Sequence, residues 1–142
     1  MYIKQVSIFV ENKKGTIAEV ISILGKANIN IRALSVADTA DYGVLRLIVN
    51  DPERAYSLLK DNYTLKLTDV LGFTLPDRPN GLGEILSVLH DNNMEISYLY
   101  TFVGHYKDKA ICIIKTTNLA KTEEILANNN VSVVSNEKIY EE

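Results

Sequence analysis

The chain has a single cysteine, Cys112, no tryptophan, three prolines and seven glycines among its 142 residues. One cysteine excludes an internal disulfide framework and any cluster of cysteine metal ligands. Cys112 sits in the apolar run Ala110-Ile111-Cys112-Ile113-Ile114. A reactive thiolate needs an activating base and an accessible setting, so this residue reads as a buried structural thiol. Long hydrophobic runs are missing as well. The stretch from Leu45 to Val49 is broken by Arg46 and falls far short of the about 20 residues that span a bilayer. The N-terminal Met1-Tyr2-Ile3-Lys4-Gln5-Val6 alternates polar and apolar residues and has neither the apolar core nor the cleavage site of a signal peptide, which predicts a cytoplasmic protein. There is no basic block, and the formal charge is -3. Nothing in that field gathers a polyanion, so neither nucleic acid nor membrane is an expected partner.

What is present is an ordinary globular balance, 46% hydrophobic and 23% charged residues, enough to bury a core and unlike a disordered chain. The organisation comes from an internal repeat, visible when the sequence is shifted by 65 positions. Gly15-Thr16-Ile17-Ala18-Glu19-Val20-Ile21-Ser22-Ile23-Leu24 then lies opposite Asn80-Gly81-Leu82-Gly83-Glu84-Ile85-Leu86-Ser87-Val88-Leu89, with Glu, Ser and Leu recurring in register. The match continues through Asn28-Ile29-Asn30-Ile31 opposite Asn93-Met94-Glu95-Ile96.

Each copy has its own pattern of elements. Ile17, Val20, Ile21 and Leu24 follow the spacing of one helix face, as do Leu82, Ile85, Leu86 and Leu89. Ahead of them, Val6, Ile8 and Val10 alternate with Ser7 and Phe9, and Val70 to Leu75 is a β-favouring run that Pro76 ends. Second and third strands are predicted at Ile29 to Ala37 with Gly43 to Val49, and at Met94 to Val103 with Ala110 to Thr116. Pro52 suits the first turn of a second helix that carries Ala55, Leu58 and Leu59 inward, and its counterpart has Thr122, Ile125 and Leu126. Closing strands follow at Leu65 to Leu67 and at Val131 to Val134. The order β-α-β-β-α-β therefore occurs twice. That is the ferredoxin-like order of an α+β protein: a four-stranded antiparallel sheet with two helices on one face, here in domains 1–68 and 69–142 joined at Thr68-Asp69.

The turn between first strand and first helix is the chemically informative segment. It reads Val10-Glu11-Asn12-Lys13-Lys14-Gly15-Thr16-Ile17 in the first copy and Leu75-Pro76-Asp77-Arg78-Pro79-Asn80-Gly81-Leu82 in the second. A Gly, or an Asn that tolerates positive φ, lets the strand turn sharply and leaves the first helical amides facing outward. Gly15, Thr16 and Ile17, or Asn80, Gly81 and Leu82, would then seat a carboxylate favoured by the helix dipole, while Asn12 or Asp77 accepts from an ammonium group. A zwitterionic amino acid fits both halves. The plainer reading is that Asn12, Asp77 and Gly15 only shape the turn.

These turns resemble the ACT domain signature, in which an acidic residue, then Pro-Gly, then an aliphatic residue open the first helix. The second copy matches through Asp77-Arg78-Pro79 and Leu82 with Asn80 at the Gly position, whereas the first keeps Gly15 and Ile17 but has Asn12 for the acid and Lys14 for the Pro. The family's Asn-Ile mark after the first helix is present as Asn28-Ile29-Asn30-Ile31 and in altered form as Asn93-Met94-Glu95-Ile96. The first copy, from Val6 to Leu34, is also similar to the ACT region of acetolactate synthase regulatory subunits. The resemblance implies a non-catalytic, amino-acid-sensing protein that works as a homodimer beside an enzyme of amino-acid biosynthesis. The implied ligand site lies between paired units, with the turn of one unit (Asn12, Lys14, Gly15, Thr16, Ile17, or Asp77, Arg78, Asn80, Gly81, Leu82) facing the helix exit and second strand of its neighbour (Asn28, Asn30, Ile31, or Asn93, Glu95, Ile96).

Other chemistry has little to stand on. His90 and His105 have no partners at metal-ligand spacing, and no cofactor is implied. Ser22 and Ser87 sit within amphipathic helices without a partnered His, so no hydrolase or transferase centre is expected. Tyr98 and Tyr100 share one strand face and read as packing residues. The terminal Glu137-Lys138-Ile139-Tyr140-Glu141-Glu142 reads as a solvated tail. Two rivals remain: an oligomerisation module with no ligand, and an RNA-binding module of the same element order. The latter would place aromatics in its third strands, where this chain has Gly43 to Val49 and Ala110 to Ile114.

Overall fold

The computed structural model describes residues 2–11, 15–38, 42–76, 78–101, 109–135 and 139. The element order is β1 (Ile3–Glu11), α1 (Thr16–Lys26), β2 (Ile31–Asp38), β3 (Tyr42–Val49), α2 (Pro52–Leu59), β4 (Thr64–Pro76), α3 (Gly81–Asp91), β5 (Ile96–Thr101), β6 (Lys109–Thr116), α4 (Leu119–Asn128) and β7 (Val133–Val134). The fold is α+β, and the pairs β1–β3, β2–β3, β4–β6, β4–β7 and β5–β6 run antiparallel. The chain divides into two compact units, Lys4–Thr68 and Met1–Ile3 with Asp69–Glu142; these are called the first and second unit in sequence order.

In the first unit the strand order is β2-β3-β1-β4. Val6 lies opposite Leu47 and Ile8 opposite Leu45. These side chains form one buried cluster with Val20 and Leu24 of α1 and Ala55 and Leu59 of α2, so both helices sit on the face defined by alternate residues of β1 and β3. The Ser7 and Thr68 hydroxyls, 2.9 Å apart, join β1 to the first part of β4. In the second unit the order is β7-β4-β6-β5. Leu71, Phe73 and Leu75 of β4 pack with Cys112 and Ile114 of β6, Ile85 and Leu89 of α3, and Ile125 and Leu126 of α4. Both second strands slip register at the corresponding place, between Ile31 and Ala33 in β2 and between Ile96 and Tyr98 in β5.

Three expectations are corrected. The predicted eight strands are seven among the described residues, because Leu65 to Leu67 and Val70 to Leu75 belong to one 13-residue strand, β4. Thr68 and Asp69 lie within that strand, both half-buried, so nothing breaks it there. Ile17 and Leu58, expected on buried helix faces, are each 39% exposed. Ile17 stands in the first turn of α1, and Leu58 is displaced from the α2 contact stripe by the neighbouring pair Ala55 and Leu59. Helix starts follow the sequence more closely: Asp51 caps α2 by accepting from the Arg54 amide at 3.1 Å, and Asn118 caps α4 by accepting from the Lys121 amide at 3.0 Å. Among the described residues no helix is long and apolar enough to cross a membrane, and no group of three or more His, Cys, Asp or Glu is placed to hold a metal.

Candidate ligand site at the strand-to-helix turns

Each unit turns from its first strand into its first helix through one residue in the left-handed region. In the first unit this is Gly15, φ 88° and ψ -5°, and in the second it is Asn80, φ 63° and ψ 9°. The helices therefore open with the same backbone conformation although the residue differs. Glu19 N donates to Gly15 O at 2.9 Å, and Glu84 N donates to Asn80 O at 3.0 Å, so the first intrahelical bond forms at the same place in both.

The second turn is closed by bonds of its own. Arg78 N donates to Pro76 O at 2.9 Å and Gly81 N to Arg78 O at 3.1 Å. The Gly81 amide, one of the expected carboxylate donors, is thus spent inside the turn. A Cβ on Gly81 would lie 2.5 Å from Pro76 O, and one on Gly83 would lie 2.1 Å from Asn80 Oδ1. The Asn80 side chain lies over the bare α-carbon of Gly83. Asn12, Lys14 and Asp77, the remaining turn candidates, lie outside the described residues, as does His105.

Arg78 does not face a vacant seat. Its guanidinium grips Glu84 through two bonds, Nη2 to Oε2 at 2.8 Å and Nη1 to Oε1 at 3.2 Å. The bond and the charge of Arg78 hold the Glu84 carboxyl below its usual range, and Glu84 raises Arg78 in turn. The corresponding glutamate of the first copy, Glu19, accepts instead from the hydroxyl of Tyr63. Desolvation, then the bond to Glu19 and its charge, push the Tyr63 phenol up to about 12.

The helix exits behave alike. Asn28 and Asn93 both take positive φ, 61° and 58°. Behind them Ile29 N donates to Leu24 O and Met94 N to Leu89 O, each at 2.9 Å. Both asparagines terminate their helices in the left-handed conformation that closes the last turn. Asn30 is clamped to Asn50: its amide donates to Asn50 Oδ1 at 3.0 Å and its carbonyl accepts from Asn50 N at 3.1 Å. The Glu95 carbonyl accepts from Thr117 N at 3.2 Å. Ile31 and Ile96 pack partly buried against the two cores.

Within a unit, turn and exit are not brought together. Each first helix has 11 residues and is about 16 Å long, so Gly15 to Ile17 and Asn28 to Ile31 stand at opposite ends of α1, as do Asn80 to Leu82 and Asn93 to Ile96 on α3. Beside each turn lies a crevice that sequence reasoning missed. In the second unit it measures about 330 Å³ and is lined by Pro76, Gly81, Glu84, Lys109 and the exit of α4 from Asn129 to Ser132, among others. In the first it measures about 460 Å³ and is lined by Glu11, Thr16, Glu19 and the exit of α2 from Asn62 to Thr64, together with Phe9. The recurrence of Glu19 as Glu84 was the available signal. The second-helix exits are out of register with the 65-residue shift and gave none.

Comparison with known proteins gives a model of an ACT domain pair that matches residues 1–142. No curated protein matches the chain. Among solved structures, a Bacteroides thetaiotaomicron protein is 39% identical, with 100% of this chain and 98% of that one covered at a TM-score of 0.91. The regulatory subunit of aspartate kinase from Thermus thermophilus, in a ligand-free form, is 10% identical, with 89% of this chain and 93% of that one covered at a TM-score of 0.63. Its counterpart from Thermus flavus is 12% identical, with 89% and 92% covered at a TM-score of 0.57. At those identities the likeness to the two Thermus proteins is one of fold.

Proposed function

The chain belongs to the ACT domain pair family, and on that premise we propose that it is a non-catalytic regulatory protein that binds a free amino acid. The two ACT domains are residues 1–68 and 69–142, each a ferredoxin-like unit, and the ligand sits between paired units of a cytoplasmic homodimer. The observation that carries the reading is the repeated left-handed turn: Gly15 and Asn80 open α1 and α3 with nearly the same backbone angles, so each copy offers the start of a helix dipole to a carboxylate. The about 16 Å between turn and exit supports a seat made from two units, because neither unit closes one alone.

The mechanism is a shift of population. Ligand held between two units favours their paired arrangement by the difference in its affinity for paired and separated forms. A partner enzyme of amino-acid metabolism reads that arrangement; the regulatory subunits of aspartate kinase share this fold. The seats are unequal. The second has an amide already engaged, at Gly81, so its carboxylate seat draws on the remaining amides of the turn.

A thermal-shift screen of the full chain against the twenty amino acids tests the proposal. Ligand at about 100 times its dissociation constant stabilises by roughly 2.7 kcal/mol, a rise of several degrees. One amino acid or a related group should produce it, and Gly15→Val should abolish it. No shift with any amino acid leaves an oligomerisation module without ligand.

A further inference from the structure

The glutamate in the first turn of each first helix is held differently in the two copies. Glu19 accepts from the Tyr63 hydroxyl, which comes from the exit of α2, whereas Glu84 is gripped by Arg78 from its own turn. Tyr63 and Val131 hold the same place in the two units. The Tyr63 amide donates to Leu59 O at 3.0 Å and the Val131 amide to Leu126 O at 2.9 Å, each as the second helix returns to the sheet, and both side chains pack partly buried against their own core. The first unit thus supplies its crevice with an aromatic ring whose hydroxyl ends on the glutamate. The second has an isopropyl group at that place, which offers no hydrogen bond.

The crevice of the second unit, about 330 Å³, is large enough for a small ligand. Its apolar part is made by Leu75, Ile85 and Leu126, all more than nine-tenths buried, together with Val131. Among the described residues its charged lining groups are Glu84 and Lys109. Both Glu84 oxygens accept from Arg78, yet each carboxylate oxygen has room for a second bond, and the Arg78 pair keeps the group ionised at neutral pH. The chemistry of the occupant follows from these groups. A phenol is what the first copy sets against the same glutamate, a flat ring suits the apolar walls, and Lys109 favours an anionic substituent. An ammonium group next to that anion would be repelled by Lys109, which sets the occupant apart from a free amino acid.

We propose that the crevice of the second unit binds a small phenolic carboxylate without an amino group, its hydroxyl donating to Glu84, its ring on Leu75, Ile85, Leu126 and Val131, and its carboxylate paired with Lys109. This seat lies inside one unit and does not depend on the amino-acid reading above. Equilibrium dialysis of the full chain against para-hydroxybenzoate, para-hydroxyphenylacetate and its propionate homologue, which differ in the reach from ring to carboxylate, tests it. The expected result is saturable binding of one of the three. The same acid without its hydroxyl, and tyrosine itself, should bind about tenfold or more weakly. Val131→Tyr, which sets the first copy's own ring in the crevice, should abolish binding. Lys109→Gln, at an exposed position, should weaken it by a similar factor, and together with the hydroxyl comparison it keeps the test intact if the tyrosine variant folds poorly. No binding of any of the three acids overturns the proposal. Binding that neither Lys109→Gln nor loss of the hydroxyl weakens overturns it as well, and so does binding lost with Gly15→Val, which would place the acid at the turn of the first unit.

Discussion

In the first unit the residue that turns the chain into its first helix is Gly15, and no atom of the described residues lies within 4 Å of where its Cβ would stand. In the second it is Asn80, and the neighbourhood is crowded: backbone oxygen of Pro76 closes on Gly81, and the Asn80 side chain closes on Gly83. The first copy has Thr16 and Ala18 where the second has Gly81 and Gly83. The two copies reach nearly the same backbone angles by different routes, one by a permissive residue, the other by an Asn whose side chain is accommodated by the bare α-carbon of Gly83. A departure from a sequence signature therefore need not be a departure from its geometry, provided neighbouring positions change with it.

The comparison can be broken by substitution, measured as urea unfolding of the full chain. The largest effect is expected at Gly81→Ala, where the obstacle is backbone and cannot swing away: a loss of about 2–4 kcal/mol. Gly15→Ala meets no atom of the described residues and costs what its left-handed conformation costs, about 1–2 kcal/mol. Gly15→Asn, which imports the second copy's solution, should recover most of that loss. Equal losses at Gly15 and Gly81 would contradict the description of the two turns. Next in size is Gly83→Ala, which forces the Asn80 side chain aside. It should cost about 1 kcal/mol alone and much less when combined with Asn80→Gly, a coupling that a double-mutant cycle reads directly.

Two smaller effects sharpen the contrast through protonation. Burial pushes the Cys112 thiol up to about 12 from 9.0, so the neutral thiol is the form the second core holds. Its stabilisation is complete below pH 9.0 and fades as pH rises toward 12. Thiol reagent at neutral pH should label Cys112 only at the rate of unfolding. Tyr63 belongs to the first unit alone, since the corresponding second-helix exit carries Val131. Desolvation, then the bond to Glu19, also sets its folded-state value above the ordinary one, so what the neutral phenol contributes is complete below pH 10.0 and weakens as pH climbs toward about 12. Tyr63→Phe should remove that part of the alkaline loss, the smallest of these effects because the pair is near the surface.

Most of the element order was legible because each copy repeats the same periodicities. Val6, Ile8 and Val10 alternate, and Val20 and Leu24 or Ile85 and Leu89 mark helix faces that the cores do bury. The continuity of β4 was not legible. The junction at Thr68-Asp69 lacks Gly or Pro, and the polar pair that divides the two units also lies inside one continuous strand. The asparagines at 28 and 93 were visible but their work was ambiguous: an Asn at a helix exit serves a ligand or a left-handed cap on paper, and the positive φ of both shows that they close their helices. The crevice residues Tyr63, Asn62 and Lys109 were hidden because a crevice depends on how the second helix returns to the sheet. α2 has 8 residues and α4 has 10, which throws the repeat out of register there.

The central claim is that the left-handed turns seat an amino acid. Equilibrium dialysis of the full chain against an equimolar mixture of the twenty amino acids tests it most directly, with the retained ligand identified after denaturing the protein. The account predicts that one amino acid or one related group is retained by the wild-type chain and lost by Gly15→Val at unchanged secondary structure. Retention of none, or retention that Gly15→Val leaves untouched, would contradict it.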